Sequence, residues 1–190
     1  TLANIGSDGT PIGNLALSTA VAVSAAGNWY VGNITGDEAL TTTGALTVEA
    51  GSVDFANIVM GGHLSITSTS TIDAGTITGK DNNVTLASGN NGNITIGTVG
   101  ATNNAVGTVN ITPHGTGVIS TAGNWFTGTA TLGAMTLSGN YTLTTADKAV
   151  ALGHVKGAHT LTITTGSGNI TLSSLGETDT KLAALSITTT

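Results

Sequence analysis

Residues 91–100 read NGNITIGTVG and residues 167–176 read SGNITLSSLG, so the chain carries almost the same phrase twice. Each copy has a Gly-Asn pair, an alternation of apolar residue, Thr and apolar residue, and then small residues with a second Gly. Neither copy matches G-x-x-x-x-G-K-[ST] or G-x-G-x-x-G, and no helical pattern follows that would present a phosphate-binding N-terminus. The phrase is interpreted as a corner followed by a strand, in which Gly supplies backbone freedom and Asn tolerates left-handed geometry.

The apolar–polar–apolar alternation recurs along the chain and is the period-2 pattern of a strand with one buried face. Most of these triplets are bounded by Gly, Asn or Ser, which are the residues of tight turns. The pattern predicts an all-β, right-handed parallel β-helix (β-solenoid) of roughly 9–10 coils of about 20 residues, with a β-sandwich pair as the alternative. The triplets are residues 46–48, 64–66, 84–86, 94–96, 109–111, 135–137, 161–163, 170–172 and 185–187.

A longer repeat is also visible in the sequence. Trp29 in AAGNWY returns as Trp125 in TAGNWF, and His63 in GGHLSIT returns as His159 in GAHTLTIT, each pair 96 residues apart. A third match, GALTVEAG against GAMTLSGN, needs a gap of seven residues. The chain is therefore predicted to be one solenoid module with an internal duplication of about 96 residues. The predicted bounds are 1–190 for the module and approximately 25–120 and 121–190 for the copies.

Composition excludes several functional classes. Four Lys and no Arg cannot neutralise a phosphate backbone, so nucleic-acid binding is not expected. The chain has no Cys, and no apolar run approaches the roughly 18 residues of a membrane helix. Thr makes up about a fifth of this acidic chain, and charged residues only 7%. Such a composition is typical of bacterial or archaeal surfaces, and the start TLANIG, with no initiator Met or signal peptide, suggests a processed piece of a longer secreted protein.

The GNITL-type phrases, in a Thr/Gly/Asn-rich chain without Cys, resemble the β-helices of filamentous-haemagglutinin-type proteins, autotransporter passengers and bacterial β-strand-repeat surface proteins. The resemblance covers most of the chain. It implies a secreted right-handed β-helix used as an adhesin stalk, surface layer or filament, and it supplies no catalytic residues. The phrase VNITPHGTGVIS at residues 109–120 is also similar to phrases of phage tail fibres, a further alternative.

Two groups of ionisable residues are candidates for chemistry. Asp54 and Asp73 lie 19 residues apart, about one coil, so they are expected to share a face, and Asp81 could neighbour His63. Paired carboxylates would suit a polysaccharide-active β-helix enzyme or calcium binding. The favoured interpretation is that they are scattered, solvated carboxylates without a catalytic role. A metal site built from the four histidines is also disfavoured, because no carboxylate or Cys keeps a fixed ligand spacing with them. The histidines are His63, His114, His154 and His159.

Threonine pairs separated by one residue raise a further alternative, an ice-binding face. That function requires one pair on the same face in every coil. The spacing of the pairs along the sequence is irregular and many coils offer one Thr, which disfavours it. The pairs are Thr76/Thr78, Thr142/Thr144 and Thr160/Thr162/Thr164.

Six N-x-T sequons occur, and the corner-and-strand pattern accounts for most of them without a sugar, although glycosylation would suit a surface protein. They begin at Asn33, Asn83, Asn93, Asn110, Asn140 and Asn169.

Trp29 and Trp125 are interpreted as packing residues, with an exposed contact site as the alternative.

The end of the sequence, LSITTT, is still strand-like and carries no Pro, charge cluster or amphipathic helix to close a terminal coil. The sequence therefore predicts a non-enzymatic extracellular structural protein with no cofactor, metal or catalytic residue. The expected partners are further copies of the chain or further repeats of a longer parent chain, and surface glycans are another possibility.

Overall fold

A computed structural model describes residues 2–17 and 23–189, apart from the side chains of Asp37 and Glu38. Thr1, residues 18–22 and Thr190, which belong to the predicted module 1–190, lie outside the described residues. The described chain forms a parallel β-solenoid of about nine turns without helices, so the predicted all-β solenoid is confirmed and the β-sandwich alternative is wrong. The strands are β1 (Ile12–Leu17), β2 (Val23–Val59), β3 (Leu64–Ser68), β4 (Ile72–Thr78), β5 (Val84–Ser88), β6 (Ile94–Ile96), β7 (Val109–Thr112), β8 (Ile119–Thr127), β9 (Ala130–Leu132), β10 (Met135–Thr145), β11 (Val150–Lys156), β12 (Thr160–Thr165), β13 (Ile170–Leu175) and β14 (Ala184–Thr189).

The strands stack in three parallel ladders, because the long strands turn corners and contribute to more than one. The first ladder joins residues 46–50 of β2 to β3, β5, β7, β9, the start of β11 and β13. The second joins β1, residues 31–36 and 53–55 of β2, the starts of β4, β6, β8 and β10, and the end of β11. The third joins residues 57–59 of β2 to the ends of β4, β8 and β10, then to β12 and β14.

Apolar residues of all three ladders point into the solenoid and form one core. The predicted triplets supply much of it: Leu64 and Ile66 of β3 and Leu161 and Ile163 of β12 are almost completely buried, while the residue between each pair is partly exposed. All nine triplets lie in strands. The prediction from period 2 is confirmed, since alternation alone decides which side chain faces the core.

Coil length varies more than the sequence suggests. Met135 lies 16 residues after its partner Ile119, whereas Trp125 lies 26 residues after its partner Val99. The strands nevertheless stay in register, because the extra residues are accommodated at the corners. Spacing in sequence therefore does not reveal which residues are neighbours on adjacent coils.

The corner of the repeated phrase corrects the interpretation of its Gly-Asn pair. Neither Gly92-Asn93 nor Gly168-Asn169 has a positive φ. Gly is required at position 92 by close approach, since a Cβ there would lie 1.8 Å from the carbonyl oxygen of Ser70 on the preceding coil. The left-handed residues of this corner are the preceding Asn90 and Asn91, at φ 44° and 60°.

Asn93 connects coils through its side chain. Its Oδ1 accepts a hydrogen bond from the backbone N–H of Val118, 3.1 Å away on the next coil. Asn83 and Asn140 make the same kind of bond to the N–H groups of Thr108 and Thr160. These side chains supply an acceptor where the corner interrupts the backbone ladder.

Candidate functional site

The two predicted carboxylates are neighbours on the second ladder. Asp54 pairs in register with Asp73, and both are exposed. On the next coil, the residue in register with Asp73 is Thr95. Partial desolvation by the neighbouring coils raises the pKa of Asp73, and the charge of Asp54 raises it further. The expectation that these residues share a face is confirmed; among the described residues, no three His, Asp or Glu side chains are grouped as metal ligands.

The four histidines have different surroundings and do not form a common site. Nδ1 of His63 accepts a hydrogen bond from the backbone N–H of Asn83, 3.0 Å away, so this side chain supports a corner. His114 is exposed, and His159 is half-buried at the residue before β12. His154 is the exception, because it faces Glu177 across adjacent coils.

The cluster around Glu177 attaches the segment after β13 to β11. Nε2 of His154 lies 3.1 Å from Oε1 of Glu177, and Nζ of Lys156 lies 3.3 Å from the same oxygen. Ser174 bonds Nδ1 of the same imidazole. The hydrogen bond from Lys156 lowers the pKa of Glu177, and the charges of Lys156 and His154 act in the same direction. The carboxylate is half-exposed, so this cluster is interpreted as a surface contact that orders the segment.

Trp29 and Trp125 are completely buried, which confirms the packing interpretation. Each indole N–H donates to a backbone carbonyl of the preceding coil, Ala3 for Trp29 at 2.7 Å and Gly97 for Trp125 at 2.8 Å. The local backbone repeats too, since the Gly two residues before each Trp has φ 89° and 88°.

The repeated phrases do not fall on equivalent ladders. His63 precedes β3 on the first ladder, whereas His159 precedes β12 on the third. The same local sequence can serve any ladder, because each needs only a corner and an alternating strand. The duplication over 25–120 and 121–190 stays a prediction.

All six sequon asparagines are exposed. They differ in their contacts: Nδ2 of Asn33 donates to Oδ1 of Asn14 on the preceding coil, whereas Asn110 contacts the Thr112 hydroxyl of its own strand. Glycosylation at these sequons stays a prediction.

The threonine pairs, whose spacing along the sequence is irregular, lie together on the outer surface of the third ladder. Thr142 and Thr144 pair in register with Thr162 and Thr164, which pair with Ser186 and Thr188. The pair Thr76/Thr78 lies three coils before Thr142/Thr144 on the same ladder, reached through the bridges Ile77–Val99 and Val99–Trp125. The inference against a common face, drawn from irregular spacing, is therefore wrong for these pairs, because corners of different length absorb the irregularity.

The last described coil leaves its inward residues open. Leu185 and Ile187 are 44% and 46% exposed, while their in-register partners on the preceding coil, Leu161 and Ile163, are 0% exposed. Leu175 and Leu185 line an open cleft of about 620 Å³ beside the segment 176–182. Residues that would be core in any inner coil here form an apolar surface.

Comparison with protein-family models, curated proteins and solved structures finds no match to this chain. The resemblance to filamentous-haemagglutinin-type and autotransporter surface proteins therefore stays a prediction beyond the confirmed β-solenoid. In the part of the chain that the structure describes, no helix is long and apolar enough to cross a membrane.

Proposed function

We propose that the chain is a structural segment of an extracellular rod, such as a filament, adhesin stalk or surface layer, and that its last coil stacks on a further coil. The observation that carries this proposal is the exposure of Leu185 and Ile187 at positions that are buried one coil earlier. The covering coil is a second copy of the chain or further residues of a longer one.

Stacking at this coil is favoured by two terms. Covering Leu175, Leu185 and Ile187, each less than half exposed, contributes about 1 kcal/mol per side chain. In addition, β14 is hydrogen-bonded to β12 along one edge, and its other edge can pair with a strand of the covering coil. Both terms repeat with every coil added, which is the physical basis of a rod built by repetition.

The surface composition supports an extracellular structural role. Stacked like charges repel each other at a coil spacing of about 4.8 Å, and the chain has few charged residues. Neutral Thr and Asn side chains tolerate such stacking. Secretion and non-enzymatic function belong to this proposal.

The proposal is tested by measuring assembly against concentration with sedimentation velocity and negative-stain electron microscopy. Rods that lengthen with concentration are expected from the chain. Leu185→Lys should abolish them, because a charge would enter the stacked core. The matched control is Val59→Lys, since Val59 is also 44% exposed but lies on the side of the solenoid. A chain that stays monomeric at high concentration, or rods that survive Leu185→Lys, would contradict the proposal.

A further inference from the structure

The outer surface of the third ladder carries two parallel rows of outward side chains. In each strand the two outward residues flank one buried residue. The pattern of β12, with Leu161 and Ile163 buried and Thr162 and Thr164 half-buried, shows which side chains point outward. The first row is Asn57, Thr76, Thr98, Asn124, Thr142, Thr162 and Ser186, and the second is Val59, Thr78, Gly100, Phe126, Thr144, Thr164 and Thr188.

These rows contain no charged residue. The outer row of the second ladder, by contrast, includes Asp54, Asp73 and Lys156, and that of the first ladder includes Glu49. Of the three described ladders, the third is the one whose outward rows carry no charge. The most regular part of these rows is the block of three coils from Thr142 to Thr188. The interruption lies before that block, at Gly100 and Phe126.

The block forms a two-dimensional lattice. Neighbouring coils are about 4.8 Å apart, and alternate residues of one strand are about 6.7 Å apart. The hydroxyls therefore recur at fixed distances in both directions, and neighbouring hydroxyls are within reach of one another: Oγ1 of Thr98 donates to Oγ1 of Thr76 at 3.3 Å on the same ladder.

We propose that this lattice, Thr142, Thr144, Thr162, Thr164, Ser186 and Thr188, binds ice. Ice presents water at regular repeats in a plane, so a partner with fixed repeats of comparable size can contact many lattice positions at once. A disordered peptide or a flexible sugar chain has no such periodic plane.

The chemistry of threonine suits this partner. Each hydroxyl donates one hydrogen bond and accepts two, as a water molecule of the lattice requires, while the methyl group restricts the orientation of the water around it. Threonine is also stiff at χ1, and the strands of Thr142, Thr144, Thr162 and Thr164 are paired on both sides, so little conformational freedom is lost on binding. Charged groups would hold their own hydration shell in a different arrangement, and the rows contain none.

The block is small, two residues wide and three coils long, so ice shaping with modest thermal hysteresis is expected. This inference does not depend on end-to-end stacking, because a single chain already carries the complete block. Stacking on a further coil would lengthen the rows.

The test is thermal hysteresis and ice-crystal habit in a nanolitre osmometer, together with partitioning of the labelled protein into a growing ice hemisphere. The chain should shape ice and enter the hemisphere. Thr162→Tyr places a bulky ring in the middle of the block and should abolish both effects. Thr131→Tyr is the matched control, since Thr131 is an outward strand residue of the first ladder, and it should keep both.

A second variant guards against misfolding. Thr162→Val and Thr164→Val together keep the side-chain shape and remove two hydroxyls from the block centre, so the far-UV circular dichroism should be unchanged and the hysteresis reduced. Absence of ice shaping by the chain, or equal loss with Thr131→Tyr, would overturn the proposal. If Thr162→Tyr instead removed only a lateral self-association, the face would be a protein interface and the ice assignment would be wrong.

Discussion

The substitution Gly92→Ala tests how closely the coils approach at the corner of the repeated phrase. A Cβ at position 92 would lie 1.8 Å from the carbonyl oxygen and 2.4 Å from the carbonyl carbon of Ser70. Both are backbone atoms of the preceding coil, so no side-chain rotation relieves the clash. The coils have to separate locally, which also strains the hydrogen bond from Val118 N–H to Asn93.

The expected loss is large for a single methyl group. Overpacking a well-packed site destabilises by about 1–3 kcal/mol, and a clash with fixed backbone belongs at the upper end. For a chain of this size, 1 kcal/mol corresponds to about 2–4 °C in Tm, so Gly92→Ala should lower Tm by about 6–12 °C. Gly168→Ala, in the second copy of the phrase, should behave similarly, because its Cβ would lie 2.1 Å from the Lys148 carbonyl oxygen.

The control is Gly13→Ala in β1, where an added Cβ meets no atom within 4 Å. It carries the same entropic effect on the unfolded chain, a stabilisation of about 0.4–1 kcal/mol, without the clash. Thermal unfolding is followed by far-UV circular dichroism and by the fluorescence of Trp29 and Trp125, both completely buried. Equal melting temperatures for Gly92→Ala and Gly13→Ala would refute the reasoning.

Two further predictions concern side chains on the outside of the coils. Asn93→Ala removes the acceptor of the Val118 N–H and should lower stability by about 1 kcal/mol in urea unfolding, whereas Asn110→Ala, an exposed sequon without an intercoil bond, should be near neutral. Asp54→Asn removes the charge that helps raise the pKa of Asp73. A raised carboxyl pKa destabilises the fold above that pKa, so the variant should have the higher Tm at pH 7. The gain should disappear at acid pH, where Asp73 is protonated and the repulsion is absent. A gain that persisted in acid would show a different cause.

Much of the fold could be predicted from local pattern. All nine triplets lie in strands, because a period of two places alternate residues on opposite faces wherever the strand lies. The burial of both tryptophans was also predicted, although their indole bonds to Ala3 and Gly97 were not. Those partners belong to the preceding coil, and identifying them requires the register.

A row of buried threonines at the C-terminal ends of the third-ladder strands β10 and β12 was not predicted from the sequence. Thr145 and Thr165 are 3% and 1% exposed, and their hydroxyls donate to the carbonyls of Lys148 and Gly168. The local signal was a corner three residues later, whose carbonyl needs a donor inside the solenoid.

The sequence by itself determined the strands, the inward and outward alternation and the nearly uncharged surface, because these depend on residues close together in the chain. Tertiary structure decided which residues became neighbours. Coils of 16 to 26 residues bring Thr142, Thr162 and Ser186 into one row although their spacing along the chain is uneven. The register is set at the corners, by contacts between adjacent coils such as that of Gly92 with Ser70. A period-2 pattern does not specify how many residues each corner contains, so it cannot predict this register.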